Sequence, residues 1–106
     1  MTRTVAETIA IAALAAGAAL PAWGQNTDPN LARNLAATCA NCHGTTGQSA
    51  APMPTLAGLS KDNIVRALRE FREGKRPATV MHQLAKGYTD EQIDLIAGWF
   101  AAQKAR

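Results

Sequence analysis

The residues best suited to chemistry lie in one short run, Cys39-Ala40-Asn41-Cys42-His43. Two thiols separated by two residues can each add to a vinyl group of protohaem, and the adjacent imidazole can then meet the iron from the same side. This spacing is the attachment pattern of c-type haem. The sequence therefore predicts one covalently bound haem c, attached through Cys39 and Cys42, with His43 as an iron ligand.

The same run admits three other interpretations. A CxxC pair can form a disulfide, but a thioredoxin-type site is expected in a βαβ setting, and no segment here has strand periodicity. Zinc needs four ligands, and the only further Cys or His in the chain is His82. The third interpretation is that the CxxCH run occurs by chance and binds no cofactor. Haem attachment is favoured because the chain also carries an export pattern.

The second axial position of the iron determines whether a haem carries electrons or binds small molecules. Met81 is favoured there, because it lies far enough beyond His43 for the chain to pass around the haem edge to the opposite face. A Met is usually a core residue, but this one is expected in a connection between helices. Met53, which lies between two prolines, and His82, next to Met81, are the alternatives.

The first helix must position the two thiols. Asp28 and Pro29 suit its N-cap and first helical position. Its apolar face consists of Leu31, Leu35 and Thr38. The helix is therefore expected to run directly into Cys39.

Two further helices are predicted after a Gly-, Ser- and Pro-rich loop over residues 44–59. Ser60 can cap the second helix and Gly74 is placed to end it. Its apolar positions are Ile64, Leu68 and Phe71. Thr89 and Gln92 fit a capping box for the third helix. The apolar stripe of that helix consists of Ile93, Ile96, Ala97 and Phe100. The fold class is all-α.

Residues 1–24 have the pattern of a cleavable export signal. A positive charge near the start is followed by the uncharged run IAIAALAAGAAL, and Ala22 and Gly24 place small residues before a cut at Gln25. The run is shorter than the roughly 18 residues expected of a membrane-spanning helix. The prediction is a periplasmic protein with one domain over residues 25–106 and no membrane span after cleavage. An uncleaved anchor is the alternative.

Composition limits the classes of protein that remain. The chain has 106 residues, a net charge of +3 and only 5% aromatic residues. A domain of this size buries a modest core and often needs a disulfide, a metal or a bound group. The composition therefore argues against a two-domain enzyme, a membrane channel and a disordered chain. Export and scarce aromatics also argue against a nucleic-acid partner.

Half of the positive charge after residue 24 is concentrated in one segment: Arg66, Arg69, Arg72, Lys75 and Arg76. A solvated helix face is the favoured interpretation, since Glu70 and Glu73 lie among these cations. The alternative is a docking surface for an acidic redox partner, where charge would raise the encounter rate more than the affinity.

Several motifs together resemble the small class I c-type cytochromes. CANCHG at Cys39–Gly44 is similar to the haem motif, and PTLAGL at Pro54–Leu59 is similar to the family's Pro-x-Leu-Ala-Gly loop. Met81 and the turn Ala85–Tyr88 resemble the distal methionine and the turn before the last helix. The segment Arg76–Lys104 is most similar to the cytochrome subunit of flavocytochrome c sulfide dehydrogenase.

This resemblance implies a small class I cytochrome c fold, with three main helices around one haem c. It implies one-electron transfer, with Met81 opposite His43 and the Pro54 carbonyl accepting a hydrogen bond from His43. The implied partner is an FAD-containing sulfide dehydrogenase subunit that donates electrons. A freely diffusing periplasmic carrier, a reactive or gas-binding haem with an open sixth position, and a haem-free thiol oxidoreductase are the alternatives.

Overall fold

The computed structural model describes residues 28–50 and 52–105. These residues form four α-helices and no strand: α1 Leu31–His43, α2 Lys61–Arg72, α3 Met81–Ala85 and α4 Asp90–Ala101. The predicted all-α fold class is therefore confirmed for this part of the chain. None of the four helices is both long and apolar enough to cross a bilayer. The predicted export signal lies outside the described residues.

The predicted start of α1 is wrong by two residues. Asn30, not Asp28, occupies the N-cap position, and its side chain caps nothing. The Asp28 carboxylate instead accepts a hydrogen bond from the backbone N–H of Asn30 at 2.8 Å. An Asp side chain that bonds to the backbone two residues later closes a turn of its own. The turn that contains Pro29 therefore precedes the helix instead of forming its first residues.

The caps predicted for the other two helices are confirmed. The Ser60 hydroxyl accepts from a backbone N–H in the first turn of α2. At α4, the Thr89 hydroxyl accepts from the Gln92 backbone at 3.2 Å, and the Gln92 side chain accepts from the Thr89 backbone at 3.0 Å. Gly74 follows the end of α2 with φ of 74°, the left-handed conformation that commonly ends a helix.

The core lies where α4 crosses α1 and α2. α4 packs against α1 and α2, and α3 packs against α2, whereas α1 and α3 are not packed against each other. The buried apolar residues of this core are Ala36, Ile64, Leu68, Ala85, Ile93, Ile96, Ala97 and Phe100. The predicted apolar stripe of α4 is entirely buried. The packing therefore places the first helix and the Met81 helix on separate parts of the core.

The loop over residues 44–59 is organised by Gly47. Its carbonyl accepts hydrogen bonds from the backbone of Leu56 at 2.8 Å and Ala57 at 3.2 Å. Its φ is 80°, and a Cβ at this position would lie 2.7 Å from Cδ1 of Phe100. Gly47 therefore does more than permit a turn, because it also lets the loop lie directly against an aromatic ring of the core.

Met81 lies at the start of α3, a helix of 5 residues. The sequence predicted three main helices and a connection at this point. The difference arises because a helix this short contains only one turn, too few residues for a periodic pattern to be recognised. Its placement nevertheless determines where the Met81 side chain projects from the core.

Candidate haem-binding site

The two thiols lie one turn apart in the last part of α1. Both are free, with Cys39 half-buried and Cys42 exposed. Residues three apart on a helix lie on the same side, so one flat group can reach both. Burial raises the pKa of the Cys39 thiol above its ordinary value, an effect that its hydrogen bond with Thr38 partly opposes. The thiol is therefore neutral at neutral pH.

His43 ends the same helix and has its ring fixed by a loop residue. The residue is 8% exposed, and its Nδ1 lies 2.6 Å from the carbonyl oxygen of Pro54. This is the contact that the sequence resemblance implies. A carbonyl can only accept, so Nδ1 carries the proton, and the neutral ring then has its lone pair on Nε2. A ligating imidazole is usually held in this way.

α3 and the residue before it present apolar side chains that the described part of the chain does not cover. Val80 and Leu84 are each 50% exposed, and they flank Met81, which is half-buried against the core. The core cluster is also contacted by Cys39. Because α1 and α3 are not packed together, an apolar plane can lie between the thiols and the Met81 helix. The residues present therefore fit a haem c, whose faces are apolar and whose iron takes one ligand from each side.

The two alternative sixth ligands differ in their surroundings. Met53 is exposed in the loop. The Nδ1 atom of His82 is buried and has no hydrogen-bond partner in the part of the chain that the structure describes. The sequence indicated a solvent-facing or hydrogen-bonded histidine, and this nitrogen is neither. His82 consequently stays an alternative to Met81.

A zinc site is not formed by the described residues. They contain no group of three or more His, Cys, Asp and Glu side chains close enough to hold one metal ion. Zinc in a structural site binds four such ligands. This interpretation of the CxxC run is therefore not supported by the residues around it.

Sequence reasoning missed a hydrogen bond beside the first thiol. The hydroxyls of Thr38 and Tyr88 lie 2.6 Å apart. The Thr38 hydroxyl also lies 3.0 Å from the carbonyl of Leu35, to which it can donate, and its oxygen can at the same time accept from Tyr88. The signal for this contact was Thr38 itself, a polar residue on the apolar face of α1.

Every cation of the basic segment has an acidic partner. Arg69 and Arg72 lie 3.6 and 2.6 Å from the same Asp90 oxygen. The remaining pairs are Arg66–Glu70, Lys75–Glu73 and Arg76–Glu70. Arg72, whose side chain is 27% exposed, also donates to the Tyr88 carbonyl. This pairing favours the solvated-face interpretation, with Arg72 linking α2 to the start of α4.

The sequence of this chain is similar to those of known cytochromes. The family model for cytochrome c matches residues 30–102. Over 66 residues, the chain is 48% identical to the cytochrome subunit of sulfide dehydrogenase from Chlorobaculum tepidum, covering 62% of this chain and 60% of that protein. It is 38% identical over 71 residues to cytochrome c-554(548) of Halomonas halodenitrificans, and the match covers 63% of this chain and 86% of that protein.

A solved structure shares the same architecture. The cytochrome c4 structure from Acidithiobacillus ferrooxidans superposes with a TM-score of 0.62 at 32% identity, covering 68% of this chain and 49% of that one. The chain thus spans about half of that structure and three-fifths of the C. tepidum protein, at 49% and 60%.

Proposed function

The chain belongs to the cytochrome c family, and from this premise we propose that it transfers single electrons through one haem c. In this proposal Cys39 and Cys42 form the thioether bonds and His43 and Met81 are the axial iron ligands. The observation that carries it is the 2.6 Å hydrogen bond from His43 to Pro54. This bond leaves Nε2 of His43 free to bind iron, and His43 lies on the same helix as both thiols.

The bound haem supplies an Fe(II)/Fe(III) couple, and the side chains around it decide how that couple is used. The Pro54 carbonyl fixes the His43 ring, so its ligand atom needs no reorientation when the charge on the iron changes. The Met81 thioether is a soft, neutral donor that favours Fe(II) and raises the reduction potential. With His43 and Met81 both holding the iron, their side chains would keep small molecules from it.

For the partner, we propose an FAD-containing sulfide dehydrogenase subunit that donates electrons to this chain in the periplasm. Two findings support it: the 48% identity to the C. tepidum subunit and the similarity of the segment from Arg76 to Lys104. The export pattern of residues 1–24 supports the location, since covalent haem attachment of this kind takes place outside the cytoplasm.

A freely diffusing carrier is the second candidate. The observation in its favour is the match to 86% of the H. halodenitrificans cytochrome, whose name does not describe a dehydrogenase subunit. The carrier and the subunit differ in one measurable property, which is stable association with the flavoprotein.

The first test is a pyridine haemochrome spectrum of protein made in a host that attaches haem c. A spectrum typical of two thioether bonds is expected, and free protohaem or no haem would contradict the proposal. The second test mixes the oxidised protein with sulfide and the FAD-containing subunit. Rapid haem reduction and co-elution on gel filtration support the subunit role, whereas rapid reduction without co-elution supports the freely diffusing carrier.

A further inference from the structure

The proposed iron ligands lie on helices that do not touch. α1 carries the thiols and His43, α3 carries Met81, and the two helices are connected through the core helices α2 and α4. The distance between Met81 and His43 must nevertheless be held constant if both are to bind one iron. Some contact outside the core is expected to fix it.

The hydrogen bond between Tyr88 and Thr38 is placed to do this. Of the hydrogen bonds within residues 28–50 and 52–105, it is the only one that joins α1 to the segment 80–89. Thr38 immediately precedes Cys39, and its hydroxyl oxygen lies 3.9 Å from the Cys39 sulfur. The bond therefore ends beside the point where the haem is attached.

The backbone of Tyr88 is also hydrogen-bonded to α3 and to α2. Its N–H donates to the carbonyl of Ala85 at the end of α3, at 3.4 Å. Its carbonyl accepts from Arg72 of α2 at 3.3 Å. The next residue, Thr89, caps α4. A displacement of the Met81 helix away from α1 would thus strain or break the phenol bond.

We propose that Tyr88 and Thr38 are positioning residues for the sixth iron ligand: their hydrogen bond holds the segment 80–89 against α1 and keeps the Met81 sulfur within reach of the iron. The inference rests on the proposed function, since it needs Met81 as the ligand. Neither hydroxyl touches the reacting atoms. Their effect is on the equilibrium between sulfur bound and sulfur detached.

The variants Tyr88→Phe and Thr38→Val each remove this bond and keep the side-chain shape. Imidazole is the probe, because it binds the iron of the oxidised holoprotein only when the sulfur is detached. Its apparent dissociation constant is inversely proportional to the detached fraction. One hydrogen bond changes such an equilibrium about fivefold, so each variant is expected to bind imidazole about fivefold more tightly.

Two controls separate positioning from general destabilisation. Thr38→Ser keeps the hydroxyl and is expected to bind imidazole as the wild type does. Thr46→Val makes the same replacement at an exposed loop residue and is also expected to leave binding unchanged. The double variant Tyr88→Phe/Thr38→Val is expected to match either single variant, since both remove one shared bond.

The possible results separate a failure of the positioning role from a failure of the proposed function on which it rests. A Met sulfur bound to Fe(III) gives a weak absorption band at long wavelength. If the native oxidised protein lacks this sulfur-to-iron band, the Met81 assignment fails, and this inference fails with it. If the band is present but Tyr88→Phe and Thr38→Val bind imidazole as the wild type does, only the positioning role is overturned. The positioning role is also overturned if the two substitutions have additive effects on imidazole affinity in the double variant.

Discussion

Gly47 lies against the ring of Phe100 so closely that a Cβ at residue 47 would come within 2.7 Å of the ring carbon Cδ1. Phe100 is completely buried in the core. The loop that supplies Pro54 to His43 is thus anchored to α4 through a residue that has no side chain.

We expect Gly47→Ala to lower the free energy of unfolding by about 2 to 4 kcal/mol, because it combines a strained backbone with an overpacked ring. Gly74→Ala is the matched control. Its φ of 74° is positive like the 80° of Gly47, but a Cβ there would meet nothing within 4 Å, so a loss of only about 1 kcal/mol is expected. Denaturant unfolding of the holoproteins measures both. Equal losses would mean that the contact with Phe100 is unimportant.

Met81→Ala is expected to lower the reduction potential, abolish the sulfur-to-iron band of the oxidised protein and let the reduced protein bind carbon monoxide. Met53→Ala is expected to change none of these properties. His82→Ala should keep ligation intact, with at most a small shift in potential. Loss of the band in Met53→Ala but not in Met81→Ala would identify Met53 as the ligand instead.

Replacing both Cys39 and Cys42 by Ser is expected to abolish covalent haem and leave the chain largely unfolded. The half-exposed Val80 and Leu84 have no cover within the described chain, and few aromatic side chains are available to fill the core. Circular dichroism of the haem-free variant provides the measurement. Retained helicity with a cooperative thermal transition would show that side-chain packing alone sustains the fold.

Asp90 is expected to contribute to acid sensitivity. The hydrogen bond and charge of Arg72 lower the pKa of the Asp90 carboxyl below its ordinary value, and Arg69 adds to this. A carboxyl whose pKa is lowered by folding stabilises the protein above its unfolded pKa of about 3.9 and loses that contribution as the pH falls. The Asp90→Asn variant should therefore lose less stability than the wild type as the pH falls through about 4.

Unfolding free energies at several pH values between neutral and acid test this linkage. Glu91→Gln serves as the control, because Glu91 is the neighbouring exposed acid in the first turn of α4. An identical pH dependence in Asp90→Asn and the wild type would mean that the ion pair with Arg72 contributes nothing to stability.

Features that depend on neighbouring residues were predictable from the sequence. The two thiols and His43 are nearly consecutive, and helix geometry alone places them on one side. The capping box of Thr89 and Gln92 was equally accessible, because three residues separate its members. The Asp28 cap was not, since the bond from the Asn30 N–H to the Asp28 carboxylate can either begin a helix or close a separate turn, and the sequence does not rank the two.

Contacts between distant residues could not be predicted in the same way. Thr38 and Tyr88 are 50 positions apart, and their pairing depends on how α4 crosses α1. Sequence periodicity identifies the buried face of each helix but not the angle at which two faces meet. The contact between Gly47 and the Phe100 ring could not be predicted for the same reason.

The packing of α1 against α4 joins the first and last helices of the described chain. Before this helix pair has formed, the chain presents Cys39, Cys42 and His43 on a segment that α4 does not yet cover. During that interval α1 lacks the partner that buries its Ala36 face, and its thiols are open to a haem-attaching enzyme. Docking of the last helix thus leaves Cys42 exposed but half-buries Cys39, so the first thiol is the attachment residue whose accessibility this packing reduces.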